Sequence, residues 1–344
     1  MVKRPTMRDV ATRAGVSLTS VSRVFNDEPT VASEIATKVL RAANQLGYRT
    51  NRAASDLRRR DGRPSSIGLL IEDVSNQFSA SLFRAVENVT HKYNVSVWCS
   101  NVDGDAHRER ELIENLIARR VDGLIVVPAS QNQSYLRREQ QSGMPCVFLD
   151  RPPVKLAADC VISDNEEGVY GGVLHLAKYG HTRIGYLGET RDHEPSRLRY
   201  RGYETSVAQL GTAVDFSIVR RDLQTEDEAR DACLELFSAK HPPTALFTAH
   251  NRLTLGAIRA LRELGIEESV ALVGFDDFEL FDLLRPAITV VSQDPAMLGT
   301  LGAELLFKRI SGDTSPTRRH VVPTRLIERG SGEIVAARRR VSKV

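Results

Sequence analysis

Residues 6–26 read TMRDVATRAGVSLTSVSRVFN. Thr6 followed by Asp9 is a capping-box pair ahead of an apolar run, which predicts a helix start. Val10, Ala11 and Ala14 share one face of that helix. Gly15 ends it, Val16 turns inward, and Ser17 offers a side-chain oxygen as the next N-cap. In the second helix Val21, Val24 and Phe25 form the inner face, so Leu18, Thr19, Ser22 and Arg23 point outward. Two short helices joined by a glycine-containing turn, the second polar on its outer side, make a helix-turn-helix pattern. Hydroxyls and a guanidinium on that outer face suit base edges in a major groove. A helical hairpin with a solvated polar face satisfies the same pattern.

The residues themselves separate the two readings. Thr6-x-x-Asp9-Val10-Ala11, Ala14-Gly15-Val16-Ser17, Val21-Ser22-Arg23-Val24 and Asn26 resemble the headpiece of the lactose/galactose repressor (LacI/GalR) family. The resemblance implies that Thr6, Ser17, Leu18, Thr19, Ser22, Arg23 and Asn26 meet DNA. Leu18 offers only an apolar contact to a thymine methyl, so Thr19 and Arg23 should carry most of the polar discrimination.

Charge is distributed to match. The 344-residue chain has a formal net charge of +3, yet residues 1–63 hold 13 Lys+Arg against 6 Asp+Glu, leaving 34 against 38 in the rest. A basic N-terminal module on a mildly acidic body is the footprint of a nucleic-acid reader with a second function. Cys99, Cys146, Cys160 and Cys233 are too far apart for a zinc site or a disulfide framework. Cys99, Cys146 and Cys160 fall in apolar strand-like runs, where buried free thiols are expected. The N-terminus lacks an apolar signal region, and no run of 18 apolar residues occurs. These features predict a cytoplasmic protein with no membrane partner.

A third helix is expected after the loop that begins at Asn26. Ile35, Val39, Ala42 and Leu46 have helical spacing and Gly47 stops it. The family usually has serine where this chain has Ala32, so Ser33 is expected as a weaker cap. Residues 51–66, NRAASDLRRRDGRPSS, are arginine-rich and end in Gly, Pro and Ser, the composition of a solvated tether. The resemblance implies a hinge helix over about Arg52 to Arg60, with Asn51 and Ala54 at the DNA and Leu57 wedged into the minor groove. So short a helix is marginal alone and should form on DNA beside a dimer mate. Ser55 departs from the arginine usual after Ala54.

From Ile67 short apolar runs alternate with helical segments. Strands are expected at Ile67–Ile71, Val95–Cys99, Leu124–Val127, Val147–Leu149 and Cys160–Ile162. Others fall at Ile184–Leu187, Ile218–Arg220, Ala245–Thr248 and Ala271–Gly274. Helices are expected at Ser81–Tyr93, His107–Arg119 and Ser134–Ser142. Two α/β blocks of this kind predict two lobes, each a parallel sheet covered by helices, with a cleft at the strand C-termini. Asp164-Asn165-x-x-Gly168, Gly180-His181-x-Arg183-Ile184-Gly185-Tyr186, Arg199-x-x-Gly202-Tyr203, Val273-Gly274-Phe275-Asp276-Asp277 and Leu326-Ile327-x-Arg329-x-Ser331 also resemble the family. The implied fold class is an N-terminal all-α helix-turn-helix headpiece plus an α/β two-lobed type I periplasmic-binding-protein-like core. Its expected domains are a headpiece (1–50), a hinge and linker (51–66), a two-lobed body (67–331) and a basic tail (332–344). Lobe 1 covers about 67–162 and 293–322, lobe 2 about 163–290 and 325–331. The chain should cross between lobes near Ile162–Asp164, Val290–Gln293 and Val322–Arg325.

Enzyme motifs fail. Gly180, Gly185 and Gly188 give neither a dinucleotide fingerprint nor a P-loop. His193-Glu194 begins like a zincin helix, but Arg197 replaces the second histidine and Pro195 should spoil the helix. No nucleophile elbow occurs. The chain is expected to be no enzyme, with no metal and no cofactor. A sugar-binding protein of the periplasmic type is the alternative, and the missing leader and the headpiece oppose it.

The resemblance places an effector against Phe78, Asp150, Arg151, Arg199, His250 and Asp276. Phe78 also suits a plain core role and Arg151 an ion pair between lobes. Carboxylates and planar donors match a sugar, and Arg151 with His250 tilts the expectation towards a sugar acid or phosphorylated sugar. The implied partners are a near-palindromic double-stranded operator, a carbohydrate-related effector and a second copy of the chain. The homodimer should pair through Ser81–Tyr93 and His107–Arg119. The tail lacks the leucine heptads that would make a tetramer.

Overall fold

The computed structural model describes residues 5–25, 31–48 and 64–337. The chain divides into two compact units, Met1–Ser65 and Ser66–Val344. Asn26, Asn51, Ala54, Leu57 and the expected hinge helix lie outside the described residues, as does the end of the basic tail.

The first unit has helices α1 (Met7–Ala14), α2 (Leu18–Phe25) and α3 (Ser33–Leu46). The capping box at α1 is complete: the Asp9 N–H donates to Thr6 Oγ1 and the Thr6 N–H donates to the Asp9 carboxylate. Gly15 (φ +67) and Gly47 (φ +63) close α1 and α3 in the left-handed region that glycine adopts without strain. Val10, Ala11, Val21, Val24, Val39, Ala42 and Ala43 form the core, and Phe25 packs on Tyr48 with ring centroids 5.4 Å apart.

The cap expected from Ser33 is absent. Ala32 holds the N-cap position without a side-chain bond, and Ser33, as the first helical residue, stands one place too late to cap the orphan amides. Ala32→Ser is therefore expected to stabilise this unit by about 1 kcal/mol, read as a higher midpoint for its thermal transition in the full chain.

The second unit begins with β1 (Ser66–Ile71), α4 (Gln77–Lys92), β2 (Ser96–Asn101), α5 (Ala106–Ala118), β3 (Leu124–Val126), α6 (Arg137–Gln141), β4 (Cys146–Leu149) and β5 (Asp159–Ser163). It continues with α7 (Asn165–Lys178), β6 (Ile184–Leu187), α8 (Glu194–Gln209), β7 (Val219–Arg220), α9 (Glu226–Ser238), β8 (Ala245–Thr248), α10 (Asn251–Glu263), β9 (Ala271–Phe275) and β10 (Thr289–Ser292). Last come α11 (Pro295–Ile310), β11 (Arg319–Val322) and β12 (Arg325–Ile327).

One sheet runs β11-β5-β4-β3-β1-β2, the other β12-β10-β9-β8-β6-β7. The two orders are the same once each sheet's strands are counted from its own start, so the lobes are topological repeats. Every neighbouring pair is parallel except β10 with β12. The chain leaves the first sheet after β5, returns after β10 through α11 to β11, and leaves again for β12. Three connections of this kind form a hinge.

Burial on both faces explains the near-continuous apolar strands. Ile67, Leu69 and Ile71 of β1 pack with Val86 of α4 and Leu306 of α11, whereas Leu70 faces Ile113 and Leu116 of α5. In the second lobe Leu246 and Leu272 join Cys233 and Leu261, and Phe247 and Val273 join Val169 and Tyr203.

Three local expectations change. Ser134–Ser142 is a 3-10 turn, Ser134–Leu136, followed by the short α6. Pro195 does not spoil a helix but starts α8, where its missing N–H is one the first turn leaves unbonded anyway. Cys99 lies exposed on edge strand β2, while Cys146, Cys160 and Cys233 are buried. No helix among the described residues is long and apolar enough to cross a membrane.

Candidate effector cleft and nucleic-acid interface

A cleft of about 530 Å³ opens where the strand C-termini of the two sheets face each other, and Phe78, Asp150, Arg151, Arg199, His250 and Asp276 all line it. The topology brings them together. Asp150 follows β4 and Asp276 follows β9, the fourth strand of each lobe by sequence. Both sit at positive φ, +65 and +72, and both backbone N–H groups donate to the next strand, to Val161 and Val291 at 2.9 Å. A non-glycine residue held there costs about 1–3 kcal/mol unless its surroundings fix it, and such strain concentrates at binding sites. Two aspartates in repeat-related strained turns thus aim at one space.

The arginines are held firmly. Arg199 is 3% exposed; its Nε donates to Asn165 Oδ1 at 2.8 Å and its Nη1 to the Ala249 carbonyl at 2.7 Å. Its guanidinium lies 4.0 Å over the Phe275 ring and its Nη1 3.6 Å from Glu189. Arg151 does not bridge the lobes: it donates to Glu72 and to the Pro128 carbonyl, and its Nε is 3.5 Å from Asp150. All these partners belong to its own lobe. Burial pushes the Asp150 carboxyl above the usual range, with Arg151 and Arg199 pulling the other way.

The surplus of positive charge expected around the cleft is not there. Seven carboxylates line it against three guanidinium groups. Phe78 packs against the first lobe's core and also lines the cleft. His250 caps α10, its Nδ1 accepting from the Arg252 N–H at 3.3 Å, and faces Glu189 at 3.8 Å.

Several residues in and beside the cleft lie outside the effector contacts expected from the sequence. Gln293 donates to Asp276 at 2.6 Å, leaving its Oε1 buried with no protein partner. Asp277 turns away from Asp276 and pairs with Arg329, two contacts of 2.7 Å. Arg252 of α10 pairs with Asp73 across the cleft, and Asn251 donates to Asn76 at 3.4 Å. These are bonds between lobes.

His193, at the N-terminus of α8, also lines the cleft. Burial and then Arg151 hold its imidazole down to about 4, against Glu72 and Asp192. The unfolded ring titrates at about 6.5, so below that pH the unfolded chain binds the proton first. Stability should fall as pH drops from about 6.5 to about 4, and level off below. His193→Gln is expected to flatten that slope in melts taken across this range.

His175, Glu328 and Glu333 form the one His/carboxylate group among the described residues close enough to suit a cation. The two ring nitrogens of His175 address different carboxylates, and Glu333 also accepts from Thr289 at 2.8 Å and from the Gly330 N–H. The donors are already used, and the arrangement ties α7 to the segment after β12.

In the first unit Leu18, Thr19 and Arg23 are exposed on α2 and Ser22 is half-buried beside them. Ser17 and Thr6 have capping duties: Ser17 Oγ accepts from the Ser20 N–H at 3.0 Å, and Thr6 Oγ1 donates to Asp9 at 2.7 Å.

Comparison with known proteins agrees with both units. Residues 6–51 match the family model for bacterial regulatory proteins, lacI family, and residues 173–332 match that for the periplasmic binding protein-like domain. The HTH-type transcriptional regulator PtxS of Pseudomonas aeruginosa is 34% identical over 95% of this chain and 96% of its own. The ribose operon repressor of Escherichia coli is 33% identical over 95% and 99%. A solved lac repressor dimer, bound to operator and an anti-inducer, superposes with a TM-score of 0.85 at 26% identity, over 96% of this chain and 99% of that one. With such identity along nearly its whole length, the chain belongs to the lacI family of bacterial transcriptional regulators.

Proposed function

We propose that the protein is a sequence-specific repressor acting as a homodimer on a near-palindromic operator, with operator affinity set by a carbohydrate effector in the cleft. The observation that carries the effector half is the convergence of Asp150, Arg151, Arg199, His250 and Asp276, from both lobes, on one water-accessible space. Carboxylate acceptors and planar donors at fixed positions match the spaced hydroxyls of a sugar. One relative is a ribose operon repressor, which fits that class. Each headpiece reads a half-site through Leu18, Thr19, Ser22 and Arg23, with Ser17, Thr6 and Asn26 supporting. The segment 51–66 acts as the hinge, with Asn51 and Ala54 at the DNA and Leu57 opening its centre. The effector favours one closure of the lobes and so alters the spacing of the paired hinges. A hundredfold change in operator affinity needs about 2.7 kcal/mol of coupling.

Selection from random DNA should return a symmetric motif, and a gel shift on that motif should respond at least tenfold to one member of a monosaccharide panel. No enriched symmetric motif would defeat the repressor reading, and sedimentation of the DNA complex as a monomer would defeat the dimer.

A further inference from the structure

The repeat that pairs Asp150 with Asp276 also pairs two other carboxylates. Glu72 directly follows β1, and Glu189 lies two residues beyond β6, the first strand of each lobe by sequence. Both line the cleft, and each meets the buried arginine of its own lobe. Glu72 bonds Arg151, and Glu189 lies 3.6 Å from Arg199. We infer that Glu72 and Glu189 are charge-selectivity residues: they hold the cleft arginines so that the site takes an uncharged, monosaccharide-sized polyol and rejects its carboxylate or phosphate counterpart.

The inference rests on the sugar reading above and adds its charge class. An anionic ligand needs a guanidinium with an open face. Arg151 donates Nη2 to Glu72 and Nη1 to the Pro128 carbonyl, and its buried Nε, without a hydrogen-bond partner, has the Asp150 carboxylate 3.5 Å away as its counter-charge. Arg199 is committed to Asn165, Ala249 and Glu189. The third guanidinium, Arg252, is held by Asp73. With each cation countered, the further carboxylates of the cleft wall, Asp192 and Asp276, leave the cavity negative. A carboxylate entering it meets like charge at short range in a partly desolvated space, which disfavours its binding. A hydroxyl meets only acceptors and oriented donors. Selectivity of this kind comes from what repels the wrong ligand as much as from what attracts the right one.

The test is titration calorimetry on the full chain with D-ribose, D-glucose, D-ribonate, D-gluconate and D-ribose 5-phosphate. The wild type should prefer a neutral sugar to its acid at least tenfold. Glu72→Gln and Glu189→Gln should each move that ratio towards the acid by about tenfold. A cooperative urea transition shows that each variant is folded, and either variant alone suffices if the other fails that control. Preference of the wild type for an acid or the phosphate overturns the inference and leaves the sugar reading standing. So does a ratio that neither variant moves. Failure of every probe, neutral and anionic, overturns the sugar reading and this inference with it.

Discussion

Arg199→Ala is expected to lower effector affinity at least hundredfold and to destabilise the two-lobed body by about 3–5 kcal/mol, the range for breaking a buried, hydrogen-bonded charge group. Three losses combine. The Ala249 carbonyl and Asn165 Oδ1 lose donors at 2.7 and 2.8 Å, inside a site where water replaces them poorly. The stacking over Phe275 at 4.0 Å disappears, leaving a void beside a fully buried ring. Glu189 and Asp150 lose a counter-charge, so the negative cleft becomes more so. Arg199→Lys should recover less than half of either effect, because a point charge on a flexible stem does not reach two acceptors in the plane of a guanidinium. Urea unfolding measures the stability effect and calorimetry with the effector sugar the affinity effect. A variant with wild-type midpoint and affinity would remove Arg199 from the site.

Arg199 and Asp276 are legible in the amino-acid sequence because each stands in a dense motif, Asp276 at a strand end and Arg199 in the second turn of α8. A polar residue just past a buried parallel strand has few places to go other than the cleft. The same rule applied evenly finds Glu72 after β1 and Glu189 after β6, yet neither stands in a motif that draws attention. Pairing is what the sequence hides. Spacing along the chain does not show that Arg151 is tied to Glu72 and Asp150 within one lobe, so its charge reads as available to a ligand. Pro195 misleads for a different reason. Proline breaks a helix interior but suits its first turn, and only the true start of α8 decides between the two. Ser33 is out by one residue, which at a helix N-terminus separates a cap from an ordinary first-turn hydroxyl.

Glu109→Ala is expected to cost about 3–5 kcal/mol and to weaken effector binding as well, although Glu109 does not line the cleft. In the sequence it is one more acid in the charged run HRERELIENLIARR, on a helix expected to pair two copies of the chain. In the fold it is fully buried. Its Oε2 accepts from the Ala129 and Ser130 N–H groups at 2.5 and 2.9 Å, and its Oε1 accepts from the Tyr135 hydroxyl. One carboxylate therefore satisfies three donors of the loop that follows β3. Burial and then the Glu109 charge push the Tyr135 phenol far above its ordinary range, which keeps it protonated and donating. Alanine would leave all three donors without their shared acceptor, each unmet buried donor costing about 1–3 kcal/mol. That loop carries Val127, Ala129 and Gln131 to the cleft wall, and Gln131 donates across it to the Asp192 carbonyl. Loosening the loop thus removes a cleft wall and a contact between lobes together. Glu109→Gln separates charge from hydrogen bonding. Its amide oxygen still accepts from the two backbone donors, so it should lose about 1–2 kcal/mol and keep most of the effector affinity. Equal losses for Ala and Gln in urea unfolding would mean that the charge matters and the three hydrogen bonds do not.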